Sequence, residues 1–427
     1  MSITIQNTFA DVVAHQQPLV LTATSTNTAQ AKFRYVLTVD VNGIEVVKLK
    51  QQKNQNNWVH FDIIRIIRDY LKETNETNDA TPVSIHKTLT ANELNDSAKF
   101  IELNCYEEYA ASADANPIEF PSTGNATDSF LAIDTTSQFT DGVIPTLAGV
   151  YEFNNDTTKI SWLTNMPTTS KTRAGEYQVA SILASGLIAT VSTDIEVNYS
   201  FYTANGTLIL SQDIDRFDIG LEPFVAVKSS ANADKLYQSI PVGYQNLEEQ
   251  TFNTSMRPSL QTNLAYYEIG IIDTSGQYNT KTYRFDVVED CKYTPVQLAW
   301  INRLGAWDYY TFELASIESL KVTRSSIITP FGNWGAGAVY DYSQFEAGDT
   351  IYKVEGEKEY TINSDWLDDS SFVWLQELIT SKRVKYVNEN GDFSSIILTD
   401  NSFDIKKEVN TKLNNLQLKF KLGNKIR

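Results

Sequence analysis

Cysteine, histidine and methionine are nearly missing from this chain, with 2 Cys, 3 His and 3 Met in 427 residues. Cys105 and Cys291 stand far apart and form no CxxC pair. That spacing excludes a zinc ribbon or finger and a disulfide-stapled scaffold. Both are expected as buried free thiols, in keeping with folding in a reducing cytoplasm. His15, His60 and His86 belong to no HExxH motif, and no GxSxG elbow or phosphate-binding GxxxxGK run occurs. Nucleophilic, metal-assisted and nucleotide-dependent chemistry are left without their signatures. No apolar run approaches the roughly 18 residues of a membrane span. The start, Met1-Ser2-Ile3-Thr4-Ile5, lacks the basic and apolar regions of a signal peptide. Cations are also in deficit: 35 Lys and Arg against 53 Asp and Glu leave a net charge of −18. Such a field disfavours nucleic acid and anionic membrane surfaces as partners.

Aromatic residues are abundant, with 22 Tyr and 20 Phe. Together with plentiful Thr, Ile and Val they favour pleated, half-buried strands. Phe33, Tyr35, Leu37, Val39 and Val41 alternate with mostly polar residues up to Asn42-Gly43, and Ile44, Val46 and Leu49 follow. Asn-Gly supplies the two positive-φ positions of a type I′ hairpin. The same form recurs at Asn205-Gly206, Ser275-Gly276 and Asn390-Gly391. Helices are few. Asp62 is placed to cap a helix over residues 63–71, and Asp365 or Asp368 to open one carrying Trp374, Leu375, Leu378 and Ile379. Phe61-Asp62-Ile63 and Phe217-Asp218-Ile219 each follow a hairpin and hint at an internal repeat.

These signals predict a mainly β protein of several antiparallel, immunoglobulin-like β-sandwich domains, a C-terminal α+β domain and a few short helices. The expected division is an N-terminal sandwich with one short helix over 1–110, a linker or long loop over 111–129, a middle sandwich over 130–292, and an α+β domain over 293–427 that ends in a basic strand.

Glycan cleavage needs two carboxyl groups about 5–9 Å apart. The adjacent pairs Glu107-Glu108, Glu248-Glu249 and Asp368-Asp369 are poor candidates, because neighbours on a strand point to opposite faces. No catalytic residue, metal ligand or cofactor site is assigned. Two other segments stand out. The first, Pro295–Phe312, packs Trp300, Trp307, Tyr309, Tyr310 and Phe312 around an Asn302–Gly305 turn. It is expected to be strand, turn, strand, with two readings open: a domain core, or a contact surface on which Trp300, Asn302, Gly305, Trp307, Asp308 and Tyr309 meet a partner or a sugar. Trp334, inside a glycine-rich run, is a candidate contact tip. The second is the chain end. Seven cations, among them Lys406, Lys407, Lys412, Lys419 and Lys421, and the single acid Glu408 give residues 406–427 a charge of +6. A basic strand on an acidic body suits docking onto a neighbouring copy, or a lysine-guarded sheet edge.

The segment Ala299-Trp300-Ile301-Asn302-Arg303-Leu304-Gly305-Ala306-Trp307-Asp308-Tyr309-Tyr310-Thr311-Phe312 resembles a Trp, Leu-Asn, Gly-Gly, aromatic-Asp, aromatic-Thr-Phe pattern of virion structural proteins of tailed bacteriophages. Ala306 stands where that pattern has its second glycine. Trp58–Leu71, Ile240–Leu247 (departing at Tyr244) and the ending from Trp374 through Val384-Lys385-Tyr386 resemble further stretches of the same family, in the same order. The resemblance implies a tail, neck or baseplate component. Such a protein is non-enzymatic, is made in the host cytoplasm and is assembled into the virion. Its partners are other copies of itself, with three-, six- or twelve-fold symmetry, and other virion proteins. A host-surface glycan- or receptor-binding module is the alternative.

Overall fold

The computed structural model describes residues 3–9, 12–14, 18–71, 87, 89, 92–93, 98–123, 125–133, 162–183, 195–219, 237–273, 280–289, 293–328, 333–334, 340–341, 348–381, 383–388, 390–399 and 415–423. The described residues are mainly β, with several largely antiparallel sheets and few helices.

The first unit holds β1 (Ile3–Ile5), β2 (Val12–Ala14), β3 (Val20–Ser25), β4 (Ala31–Val41), β5 (Ile44–Gln51), β6 (Trp58–Asp62), helix α1 (Ile64–Tyr70), β7 (Asn92–Glu93), β8 (Ala98–Ala110), β9 (Ile118–Glu119) and β10 (Ala126–Ile133). One sheet runs β2-β10-β8-β4-β5, with β9 beside β8, and faces a second sheet, β1-β3-β6. Tyr35, Leu37 and Val39 of β4 meet Leu21, Ala23, Val59 and Phe61 between the sheets. Asp62 acts one position further out than a cap. Its Oδ1 accepts from the Ile64 backbone N–H, while Ile63 holds the N-cap position. Residues 111–129, expected as a linker or long loop, contain β9 and the start of β10.

The second unit holds β11 (Thr169–Thr172), β12 (Val179–Leu183), β13 (Ile195–Tyr202), β14 (Leu208–Asp215), helix α2 (Arg216–Ile219), β15 (Tyr237–Pro241), helix α3 (Tyr244–Glu249), β16 (Tyr266–Asp273) and β17 (Tyr283–Val287). Its large sheet runs β11-β17-β16-β13-β14, and its small one β12-β15-β7, with β7 lent by the first unit. The two units share one strand order. In each, the first edge strand pairs parallel with the last strand, β2 with β10 and β11 with β17, and the other ladders of the large sheet are antiparallel. The hinted repeat is therefore present as topology, but not at the matching tripeptides. Phe61 lies within β6 and is buried, whereas Phe217 follows β14 and is 71% exposed. The topological partner of β6 is β15, and α3 follows β15 as α1 follows β6. Alternating burial sets strand order, and different identities satisfy it.

The third unit holds β18 (Val296–Ile301), β19 (Trp307–Phe312), β20 (Ile317–Ile328), β21 (Asn333–Trp334), β22 (Tyr340–Asp341), β23 (Asp349–Asn363), helix α4 (Asp369–Thr380), β24 (Val384–Val387), β25 (Phe393–Leu398) and β26 (Gln417–Leu422). Seven strands form one sheet, β19-β18-β24-β25-β26-β23-β20, while β21 and β22 pair separately. Asp368 opens α4 by accepting from the Ser371 backbone N–H at 2.8 Å. The helix buries Phe372, Trp374, Leu375 and Leu378 against Leu298, Trp300, Phe312, Ile362, Leu418 and Phe420. The other face at the β18–β19 end packs on both earlier units, where Ala299, Ile301, Trp307 and Tyr309 meet Phe100, Leu131, Ile133, Leu163 and Val179. This explains the unbroken burial of Phe130-Leu131-Ala132-Ile133: Phe130 and Ala132 fill the first sandwich, and Leu131 and Ile133 the junction.

Turn chemistry sorts the hairpins into two kinds. Asn42 (φ 49°) and Gly43 (φ 79°) make the expected two-residue type I′ turn. At Thr203–Gly206, Asn302–Gly305 and Asn388–Gly391 the glycine N–H instead bonds back to the first carbonyl, at 2.9, 3.1 and 2.8 Å. In the first two the glycine alone takes positive φ, at 76° and 87°, which makes a type I turn closed by a glycine bulge, and Gly391 has φ 71°. The Ser275-Gly276 turn lies outside the described residues, although its strands β16 and β17 do pair.

Candidate assembly surface

The aromatic hairpin β18–β19 is interior. Trp300 and Asn302 are fully buried, and Trp307, Asp308 and Tyr309 are nearly so. As an exposed contact surface the segment is overturned, because alternation gives each of its faces an internal partner. Trp300 lies 5.1 Å from the Trp374 ring on the helix side, and Trp307 lies 4.9 Å from Phe393 on the other. Asn302 locks the turn from inside. Its Oδ1 accepts from the Leu304 and Ala306 backbone N–H groups, and its Nδ2 donates to the Leu163 carbonyl at 2.8 Å. The Trp374 indole donates to Asp308 Oδ2 at 2.6 Å. Burial pushes the Asp308 carboxyl up to about 7, and Glu377 adds to the rise, while donors including Trp374 oppose it.

A buried ionic network seals the seam between the second and third units. Arg173 pairs with Glu313 at 2.7 Å and with Glu176 at 3.3 Å. Thr311 donates to Glu176 at 2.7 Å, and Lys171 bridges Glu313 and Asp365 at 3.3 and 2.9 Å. Burial raises the Glu176 carboxyl above its ordinary range, and Thr311 and Arg173 partly offset this. Beside the network lies a cleft of about 320 Å³ lined by Met166, Tyr310, Trp366 and Trp374 among others. Of the charged groups at its wall, Lys171, Glu313 and Asp365 are occupied with one another, Asp286 pairs with Arg284, and Asp368 caps α4.

The remaining sequence candidates disperse. The basic strand β26 sits between β25 and β23 and is neither an edge nor a free dock. Leu418 and Phe420 dictate this, because they are fully buried with Ile362. Lys419 and Lys421 emerge on the opposite face, where Lys421 reaches Glu357 at 3.0 Å. Lys406, Lys407 and Lys412 lie outside the described residues, as do His15, His86 and Cys291, and nothing is described of the Trp334 side chain. Cys105 is free and buried, and burial pushes its thiol up to about 12. Glu107 and Glu108 do point apart: Glu107 accepts from Ser25 and Asn27, while Glu108 meets Lys50. Among the described residues no helix is long and apolar enough to cross a membrane.

The exposed feature that emerges instead is the outer hairpin, β20 with the first part of β23. It continues past the end of β26 as a two-stranded ribbon, and among the described residues β20 is the open edge of the seven-stranded sheet. Leu320 is 57% exposed, Tyr352 63% and Ile328 84%, and Ile317, Ile327, Ile351 and Val354 are exposed beside them. Its charges are largely paired within the ribbon or its root: Glu318 with Lys358 at 2.5 Å, Glu355 with Lys353 at 2.7 Å, and Glu357 with Lys421. Two strands without a covering layer are marginal in water. An apolar edge of this length is an association site unless guarded. The sequence signal was present in Leu320-x-Val322 and Ile351-x-Lys353-x-Glu355. It is weak because the strands are far apart and no Asn-Gly marks their turn. No family model matches the chain, and no curated protein matches it significantly.

Proposed function

We propose that this chain is a non-enzymatic structural component of a tailed-phage virion, acting through protein–protein contacts in the tail, neck or baseplate. The projecting ribbon β20–β23 carries the reading. It presents apolar side chains and open backbone groups that an isolated chain leaves in water, which is the surface an assembly protein needs. The ordered resemblance along the sequence to virion proteins supports the phage assignment. The tandem units are read as immunoglobulin-like sandwiches, a reading supported by the common order of their five-strand paths, each facing a three-stranded sheet. Their shared buried packing on the central hairpin suits a structural building block.

The test is incorporation. Particles produced with Leu320→Asp and Tyr352→Asp together should lack the protein, although the isolated variant melts like the parent. Normal incorporation would remove the ribbon from the reading. The alternative, a glycan- or receptor-binding module, loses the buried Trp300–Phe312 platform and keeps Trp366, 63% exposed at the mouth of the cleft. Binding of host polysaccharide that disappears in Trp366→Ala would favour it.

A further inference from the structure

The open edge of β20 is self-complementary. From Ile317 to Ser325 the strand pairs with β23 in unbroken register, and past Ser325 the register shifts with Tyr352 left over. Lys321 is the midpoint of that regular stretch. In an antiparallel ladder, residues whose N–H and C=O point outward must meet residues of the same kind. Two copies of one strand can therefore pair only about a residue, never about the bond between two. Centring on Lys321 sets Glu318 opposite Arg324 of the second copy and Leu320 opposite its Val322, each twice by symmetry, and uses the regular stretch from end to end. Centring on Leu320 sets Glu318 against Val322, and centring on Val322 sets Leu320 against Arg324. Centring on Arg324 puts two guanidinium groups face to face. Of these registers, only the first pairs opposite charges.

We infer that the ribbon docks a second copy of this chain across a two-fold axis at Lys321, so that β23 and β20 of each copy join into one four-stranded sheet. On one face Leu320, Val322 and Val354 of both copies form an apolar strip closed at each end where Arg324 of one copy meets Glu318 of the other, which also holds its own Lys358. On the other face the two Lys321 ammonium groups meet near the axis, a repulsive arrangement by itself. Each lies opposite its own Glu357, with Glu355 and Glu359 flanking on the same face, so carboxylates surround the pair. A chain of net charge −18 repels its copies over most of its surface, and the ribbon, where Glu318, Glu355 and Glu357 each have a lysine partner and the edge strand adds Lys321 and Arg324, is where two copies can close. This contact is isologous and separate from any head-to-tail contact that a closed ring requires.

The inference rests on the ribbon being an assembly surface, and the experiment separates the two. In full-length protein with Cys291→Ser, Lys321→Cys should oxidise to a disulfide-linked dimer. Ser319→Cys and Thr323→Cys should each form no disulfide-linked dimer alone yet cross-link when mixed, because residue 319 faces residue 323 of the second copy. Glu318→Arg should weaken the dimer, read by light scattering, by about tenfold. Adding Arg324→Glu to it should restore the dimer, a rescue that a folding defect would not show. A wild-type monomer at the highest soluble concentration, equal cross-linking at 321 and 323, or failure of the charge swap would overturn the two-fold. If the two-fold fails while the Leu320→Asp, Tyr352→Asp variant is still lost from particles, the ribbon remains an assembly surface with another partner. If that variant also enters particles normally, both readings fall.

Discussion

Two hairpins of one sheet, β18–β19 at one end and β20–β23 at the other, invert what their compositions advertise. The inner hairpin concentrates Trp, Tyr and Phe, and every one of those rings is spoken for inside the molecule. The outer one alternates charges with single aliphatic residues, and it is the one that faces solvent on both sides. The lesson is physical. A dense aromatic run gains most by being enclosed on two faces, so it marks the place where units are joined. A modest alternation of apolar and paired charged residues keeps a chain soluble alone and still leaves area to bury on association.

Substitutions can break or sharpen that contrast. The largest effect is expected at Trp300→Ala, which empties a fully buried site between the sheet and α4 and should cost about 3–5 kcal/mol in denaturant unfolding. A loss no greater than that of a ribbon variant would dissolve the comparison. Arg173→Met removes one partner of the buried network, leaving Glu176 without a cation and Glu313 with Lys171 alone. A loss of about 3 kcal/mol is expected, and a thermal melt unchanged from wild type would show that the seam is held by apolar contacts alone.

A pH effect of intermediate size is expected at Asp308. Its folded-state pKa of about 7 lies above the ordinary aspartate value of 3.8. Between those values the folded chain holds more protons than the unfolded one, so stability falls as pH rises through that window. Below it the carboxyl is neutral in both states and the contribution is constant. Asp308→Asn keeps a neutral acceptor for the Trp374 indole, and the melting-temperature difference between about pH 5 and about pH 8 should shrink. An unchanged difference would locate the dependence elsewhere. Smallest is the effect of Leu320→Ser or Tyr352→Ser in the ribbon. Either should shift folding stability by less than about 0.5 kcal/mol while weakening association, so a large folding loss would mean that the ribbon is part of the core after all.

Several parts of the fold were legible from residues alone. Asn42-Gly43 marks its hairpin because two positive-φ positions admit few other residues, and Asp368 marks α4 because a carboxylate there captures a free backbone N–H. The alternation of Leu418 and Phe420 announces a strand. The position of that strand is another matter. Its lysines suggested an edge, and the residues that decide against this, Ile362 of β23 and Leu398 of β25, come from remote stretches of chain. The candidate site was less legible still. Trp300, Trp307, Asp308 and Tyr309 were conspicuous and turned out to be interior, whereas Leu320 and Tyr352 were inconspicuous and are exposed.

What the sequence determined by itself is therefore local: mainly β character, the type I′ turn, the capped helix α4, and the shortage of cysteine and histidine. These follow from backbone preferences and hydrogen bonds that close within a few residues. Tertiary structure alone decided the shared strand order of the two sandwiches, the parallel pairing of β2 with β10 and of β11 with β17, the enclosure of the aromatic hairpin, and the exposure of β20. Each depends on which remote strand supplies the neighbour. Alternation states that a strand has two faces, and only packing determines whether one, both or neither meets water.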